Sequence, residues 1–284
     1  MRPAFHSEKG FLVALLPLVY RAPKVNPSVG GLYQAATLID VPAPSRLGSG
    51  VRIYPSNFST AFGTWDADPC KDPGGKTKSG DRAAPEDFDP LVVWGYDECD
   101  PTESIEDIRA NALQNMRLQE QNLVESKFAV HLSAHLTADP QTGDLVSSVG
   151  YLDEQIAETG AVGFVHASVR FMAYAAEKNL IVRGSGSPVL RTPGGNVWVF
   201  GGGYGDALGF HLVATGQPTV WRDEITTNDA MSPHENLHVA VAERTIVAGH
   251  EGFIGGVKVV IASPPATGRL FIPGDAVPGD VVPG

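Results

Sequence analysis

The sequence predicts an α+β fold in which extended segments surround one overlong helix. Three observations carry that expectation. Glycine (32) and proline (22) together make about a fifth of the 284 residues, well above the usual ~12%, so much of the chain must be turn, arm and loop. One stretch, Thr102 to Asp139, contains neither residue. After Gly143 short apolar runs alternate with turn glycines, the pattern of a mixed sheet region.

Residues 1–50 carry Pro3, Pro17, Pro23, Pro27, Pro42 and Pro44, a density that forbids long helices and favours an extended arm. Its apolar run from Phe11 to Val19 is interrupted by Pro17, is preceded by Glu8 and is about half the length needed to span a bilayer. We therefore expect an arm that buries its apolar face on a neighbour. In 50–70 and 88–99, apolar and aromatic residues alternate with polar ones around a wholly polar stretch, "KDPGGKTKSGDRAAPED". This reads as a long hairpin projecting from the body.

The long helix follows. Asp100 is the expected cap, Pro101 suits the first position, and Glu103 is placed to return a hydrogen bond. Ile105, Ile108, Ala112, Met116, Leu123 and Val130 form the expected apolar stripe of a rod of ~50 Å. Beyond it, 151–160 is a helix closed by Gly160, 161–168 a buried strand and 169–180 a second helix. Strands are expected near 196–202, 209–216 and 218–225, and two closing strands at 237–249 and 255–263.

The net charge of -11 and pI near 5.1 exclude tight wrapping of nucleic acid, which needs clustered Lys and Arg that release counterions. Two cysteines, Cys70 and Cys99, are too few for a disulfide scaffold, and free thiols are the expectation.

One motif raises the question of catalysis. "HENLH", 234–238, has the His-Glu-x-x-His letters of a zinc peptidase, and Pro233 could open the helix that chemistry needs. The surroundings oppose it. Val241 and Arg244 stand where the extended motif needs Gly and His, and 237–249 alternates as a strand, so a surface turn leading into a strand is the better account. His131 and His135 are also one helical turn apart, but no acidic or Cys partner is near in sequence, so they read as polar residues on a solvated helix. "DPGGKTKSG", 72–80, is half a phosphate loop with Cys70 where a glycine is required, and "VFGGGYGDALG", 199–209, has Leu208 in place of the third dinucleotide glycine. "RGSGSP", 183–188, lacks the strand and helix context of a nucleophile elbow. No catalytic, cofactor-binding or metal-ligating residue is assigned.

This order of elements resembles that of the HK97-type major capsid fold of tailed bacteriophages, and "GFVHASVRFMAYAAEKNL", "TGQPTVWRDEI" and "VAVAERTIVAGHEGFIGGVKV" are similar to segments of shell proteins from phages of actinobacteria. The resemblance implies an N-terminal arm at 1–48, an E-loop hairpin at 49–99 and, at 100–148, a spine helix with part of a peripheral domain. It also implies a mainly axial domain at 149–238, then return strands of the peripheral domain and a tail at 239–284. No coiled-coil scaffold precedes the arm, so a scaffold would be encoded separately.

The function implied is that of a structural subunit, not an enzyme. It would self-assemble into hexamers or pentamers of an icosahedral shell enclosing double-stranded DNA, with no cofactor. Its implied partners are copies of itself or a sister subunit, then scaffolding, portal or cement proteins, with weak nonspecific contact to packaged DNA and no membrane. It would be made in the host bacterial cytoplasm and reside in the virion capsid. Phe11, Leu12, Leu15, Leu16 and Val19 on the arm, and Ile53, Phe58, Phe62, Trp65 and Trp94 on the hairpin, are expected at subunit boundaries. A zinc metallopeptidase using His234, Glu235 and His238, or a minor tail or decoration protein, are the alternatives.

Overall fold

The computed structural model describes residues 20–58, 61–65, 70, 77–184 and 186–261. Phe11, Leu12, Leu15, Leu16 and Val19 lie outside them. Along the chain come a short helix α1 (Gly31–Ala35), strands β1 (Thr37–Asp40), β2 (Val51–Ile53), β3 (Glu86–Phe88) and β4 (Leu91–Cys99), and the long helix α2 (Ile105–Ala134). Then follow β5 (Gln141–Gly143), α3 (Leu145–Thr159), β6 (Phe164–Ser168), α4 (Arg170–Glu177), β7 (Val182–Arg183), β8 (Leu190–Arg191) and β9 (Val197–Gly201). The chain continues through α5 (Gly205–Leu208), β10 (His211–Thr215), β11 (Pro218–Arg222), β12 (Thr226–Ser232), β13 (Leu237–His250) and β14 (Phe253–Val259).

Two sheets share α2. The first is built on β13, whose 14 residues allow it to pair β4 and β12 over its first part and β11 over its second, with β1 running parallel to β11. The second has the order β5-β14-β10-β6-β9-β8-β7. Residues 218–232, grouped in sequence with the mixed region, thus supply β11 and β12 to the first sheet. β14, grouped with the closing strands, pairs β10 in the second.

The helix starts later than expected. Ser104, not Asp100, caps it: the Ser104 hydroxyl accepts from the Asp107 backbone N–H at 3.1 Å, and Glu106 and Asp107 place negative charge at the positive helix end. Asp100 instead closes a tight turn, accepting from the Thr102 N–H at 2.8 Å. Thirty residues give a rod of about 45 Å. Its buried stripe also departs from the expected one. Ile108, Ala112 and Met116 are fully buried, but the stripe continues through Val124, Phe128 and Leu132, while Leu123 and Val130 are 46% and 57% exposed. On a 3.6-residue helix each four-residue step advances the face by about 40°, so the buried stripe winds around the rod, whereas the seven-residue steps to Leu123 and Val130 stay near the original face and leave the stripe.

The rod crosses both sheets. Against the first, Gly95 of β4 is the point of closest approach: a Cβ there would sit 2.4 Å from the Ala112 carbonyl oxygen. Against the second, a Cβ on Gly203 would sit 2.2 Å from the Asn122 carbonyl oxygen. Close approach to the helix therefore accounts for Gly202 and Gly203, while a Cβ on Gly201 would meet the Tyr204 ring at 2.7 Å. In the second sheet β6 and β9 are buried on both faces. Phe164, Val197, Val199 and Val213 join the core containing α2, while Val165, Ala167, Trp198, Phe200 and Leu212 join the core formed with α3 and α4. That alternation is why these strands read as continuous apolar runs.

Two buried carboxylates on α2 fix what lies along it. Glu125, fully buried, accepts from the backbone N–H of Leu32 at 2.8 Å and of Gly203 at 2.9 Å, and from the Gln121 amide at 2.8 Å. Glu120 pairs with Arg244 of β13 and accepts from the Tyr33 hydroxyl at 2.8 Å. Burial, and then the Glu120 charge, push the Tyr33 phenol far above its ordinary range. Ahead of α1 the chain stays on the same rod: Gln114 donates to the Val25 carbonyl at 2.6 Å, Gln121 to that of Gly30 at 2.7 Å, and Arg21 pairs with Glu103 at 2.8 Å.

Candidate functional site

The features that can act on other molecules are an uncovered sheet face, a loop, and a histidine cluster. On β4 alternate residues face opposite ways: Val93 and Gly95 are buried toward α2, while Val92, Trp94 and Tyr96 point outward at 53%, 61% and 40% exposure. Register places them opposite Thr245, Glu243 and Val241 of β13, and Val241 in turn opposite Asn228 of β12. On the other face of β13, Ala240 and Ala242 are fully buried and Arg244 reaches Glu120 of α2. Among the described residues no layer covers this face around Val92, Trp94 and Tyr96; further along β13 it is covered, with Val247 buried against Leu47 and Phe88. Trp94 thus belongs to the body of the first sheet, not to the projecting hairpin where the sequence reading put it.

The hairpin itself is narrower. Its paired base is β2 with β3, Val51 opposite Phe88 and Ile53 opposite Glu86. Ile53 packs with Leu47, Phe88 and Val247 of its own chain. Phe58 also lies on its own chain, its ring against Gly216 and Gly252, where added Cβ atoms would come within 2.5 Å and 3.0 Å of it. Asn57 anchors that contact through two bonds from its side-chain amide to Glu251, both at 2.7 Å. Further out the loop is open: Phe62 is 81% exposed, and Trp65, 45% exposed, lies 5.3 Å from the Lys78 ammonium.

The peptidase letters form no site. Ser232 ends β12, 233–236 is a turn in which Asn236 has φ 53°, and His238 is the second residue of β13, opposite Met231 and Cys99. The two imidazoles therefore do not share a helical face, and the Glu235 carboxylate accepts from the Ser232 hydroxyl at 2.8 Å. Cys70 and Cys99 are not bridged. No described helix is long and apolar enough to cross a membrane.

His131 and His135, in contrast, are not merely solvated. The Glu86 carboxylate lies 2.9 Å from His131 Nε2 and 2.7 Å from His135 Nε2, and the two imidazole nitrogens are 3.5 Å apart. His250, at the end of β13, completes the group: one donor atom from each of the four residues lies within 4.8 Å of the others. Burial lowers the pKa of His131, and burial with the neighbouring histidines lowers that of His250 to about 2. The sequence signal for this cluster is the spacing of His131 and His135; Glu86 and His250 come from distant strands.

A second buried histidine is fully satisfied. His166 Nε2 lies 2.8 Å from the Thr215 hydroxyl and Nδ1 lies 3.1 Å from that of Tyr204. Thr215 donates onward to the Gly216 carbonyl, so it accepts from Nε2–H and the Tyr204 hydroxyl donates to Nδ1. Burial depresses the His166 pKa to about 3.

No protein-family model and no curated protein sequence matches the chain. Its likeness is to solved structures. The mature capsid of bacteriophage PhiM1 is 11% identical at a TM-score of 0.54, with 89% of this chain and 93% of that chain covered. The capsid of Ralstonia phage GP4 is 10% identical at 0.51, with 93% and 100% covered. The capsid of a native GTA particle is 10% identical at 0.51, with 89% and 98% covered. The chain has the α+β HK97-type fold of phage capsid proteins.

Proposed function

We propose that this protein is a structural subunit of an icosahedral phage capsid shell, self-assembling into rings that enclose double-stranded DNA and working by position, not by reaction. The observation that carries the reading is the extent of the shared fold, which runs through about nine-tenths of the chain in three capsid structures. The surface chemistry supports it. Val92, Trp94 and Tyr96 on an uncovered face, with Phe62 and Trp65 on the open loop, leave apolar area in water that contact with another copy or a sister subunit removes, at about 25 cal/mol per Å². Many such contacts, each modest, become strong when symmetry repeats them.

The partners are copies of this chain or a sister shell subunit, then scaffolding, portal or cement proteins. The acidic balance fits only weak, nonspecific contact with packaged DNA, and the location is the virion capsid after synthesis in the host bacterial cytoplasm. Velocity sedimentation and negative-stain microscopy of the purified full chain test the reading. Rings or closed spheres are expected, with or without a co-expressed shell partner; a monodisperse monomer under both conditions would overturn it.

A further inference from the structure

We propose that Glu86, His131, His135 and His250 form a structural zinc site, one that goes beyond the shell reading and stands independently of it. The four donors come from three elements: Glu86 from β3 at the hairpin base, His131 from the last turn of α2 with His135 at its C-cap one turn on, and His250 from the end of β13. A tetrahedral ion with ligands at ~2.0 to 2.2 Å needs donor atoms about 3.3 Å apart. The His131 and His135 nitrogens are already 3.5 Å apart, and Glu86 Oε1 sits 2.9 Å and 2.7 Å from them. A shift of about half an ångström in the carboxylate opens the centre, and His250, whose donor lies within 4.8 Å of the others, closes in to complete it.

An independent observation points into the same space. His250 is fully buried, and neither of its ring nitrogens makes a well-formed hydrogen bond among the described residues, the Gly252 backbone being near but poorly aligned. Leaving both unpaired is costly, and buried polar groups in native proteins are seldom left so. A metal bond to one nitrogen removes much of that cost. The other three side chains are about 30% exposed, which leaves a route for an ion.

Around the donors the shell is aromatic: Phe88 lies 4.5 Å from the His131 ring and 5.3 Å from that of His250, and Phe253 stacks on His135 at 5.1 Å. Such a shell fixes ring orientation and lowers the local dielectric. Three imidazoles and a carboxylate without thiolate suit Zn²⁺ and its late first-row neighbours, not Ca²⁺ or Mg²⁺, which take oxygen ligands. Four protein ligands close the coordination shell, so the ion would staple the hairpin base to the helix and to β13 instead of activating water.

The test uses full-length protein stripped with chelator and titrated with Zn²⁺ and, separately, Co²⁺. Expected are one saturable ion per chain, a rise in Tm with Zn²⁺, and the intense visible spectrum of tetrahedral Co²⁺. Glu86→Gln and His135→Gln, both at partly exposed positions, should each weaken binding by at least ~10-fold and abolish the Tm rise, while His234→Ala in the 233–236 turn should do neither. Absence of saturable binding, an octahedral cobalt spectrum, or affinity unchanged in both ligand variants would overturn the proposal.

Discussion

Gly95 and His166 show how single residues set the stability of this molecule. At Gly95 the β4 backbone meets α2 so closely that a methyl group would press on the Ala112 carbonyl and the Met116 amide, both at 2.4 Å. Neither is a flexible side chain that can yield. Gly95→Ala should therefore lose about 1 to 3 kcal/mol, read as a lower urea midpoint with an unchanged slope. His166 acts through protons. The folded chain holds it neutral down to about pH 3 and His250 down to about pH 2, whereas the unfolded chain protonates both near 6.5. Their full contribution is present above pH 6.5 and is lost as the pH falls, because proton uptake then favours unfolding. By pH 5 each should cost about 2 kcal/mol, seen as a falling Tm in chelator-treated protein, and His166→Gln should flatten the fall. Absence of a pH effect between 7 and 5 would contradict the buried neutral assignments.

At the scale of elements, β4 is where the local and the distant readings part. Its alternation is plain in "LVVWGYDEC", but alternation names no partner, so the sequence alone extended the hairpin through it. In the structure β13 claims it, and Trp94 becomes part of a sheet face. The long helix was legible because thirty residues without Gly or Pro admit few other conformations. Its cap was not, because Asp100 with Pro101 satisfies the same local rules as Ser104. The histidine cluster was half legible: spacing put His131 and His135 on one face, but only sheet topology brings Glu86 and His250 to them. The account makes a direct demand on β4. Trp94→Glu should change monomer stability by no more than about 0.5 kcal/mol, since the side chain points to water, yet abolish sedimentable particles. Normal particles from that variant would show that this face is not a contact.

The described residues form two sheets along one rod with the β2–β3 ribbon beside them, and the long helix between extended segments could be read from the placement of Pro, Gly and apolar runs. What could not be read is how much of the extended chain returns to its own body. Residues 20–30 lie along α2, and Phe58 is seated on Gly216 and Gly252, whereas Phe62, Trp65 and the Trp94 face stay open. Gripping the near part of each limb orders it before assembly and reduces the entropy that contact with another subunit must offset. In the proposed shell, the open remainder is what another copy would cover. Hydroxyl-radical footprinting of assembled particles against dissociated subunits measures this directly. Val92, Trp94, Tyr96 and Phe62 should label several-fold less in the particle while the already buried Phe128 stays unlabelled in both; equal labelling of the four in particle and subunit would contradict the account.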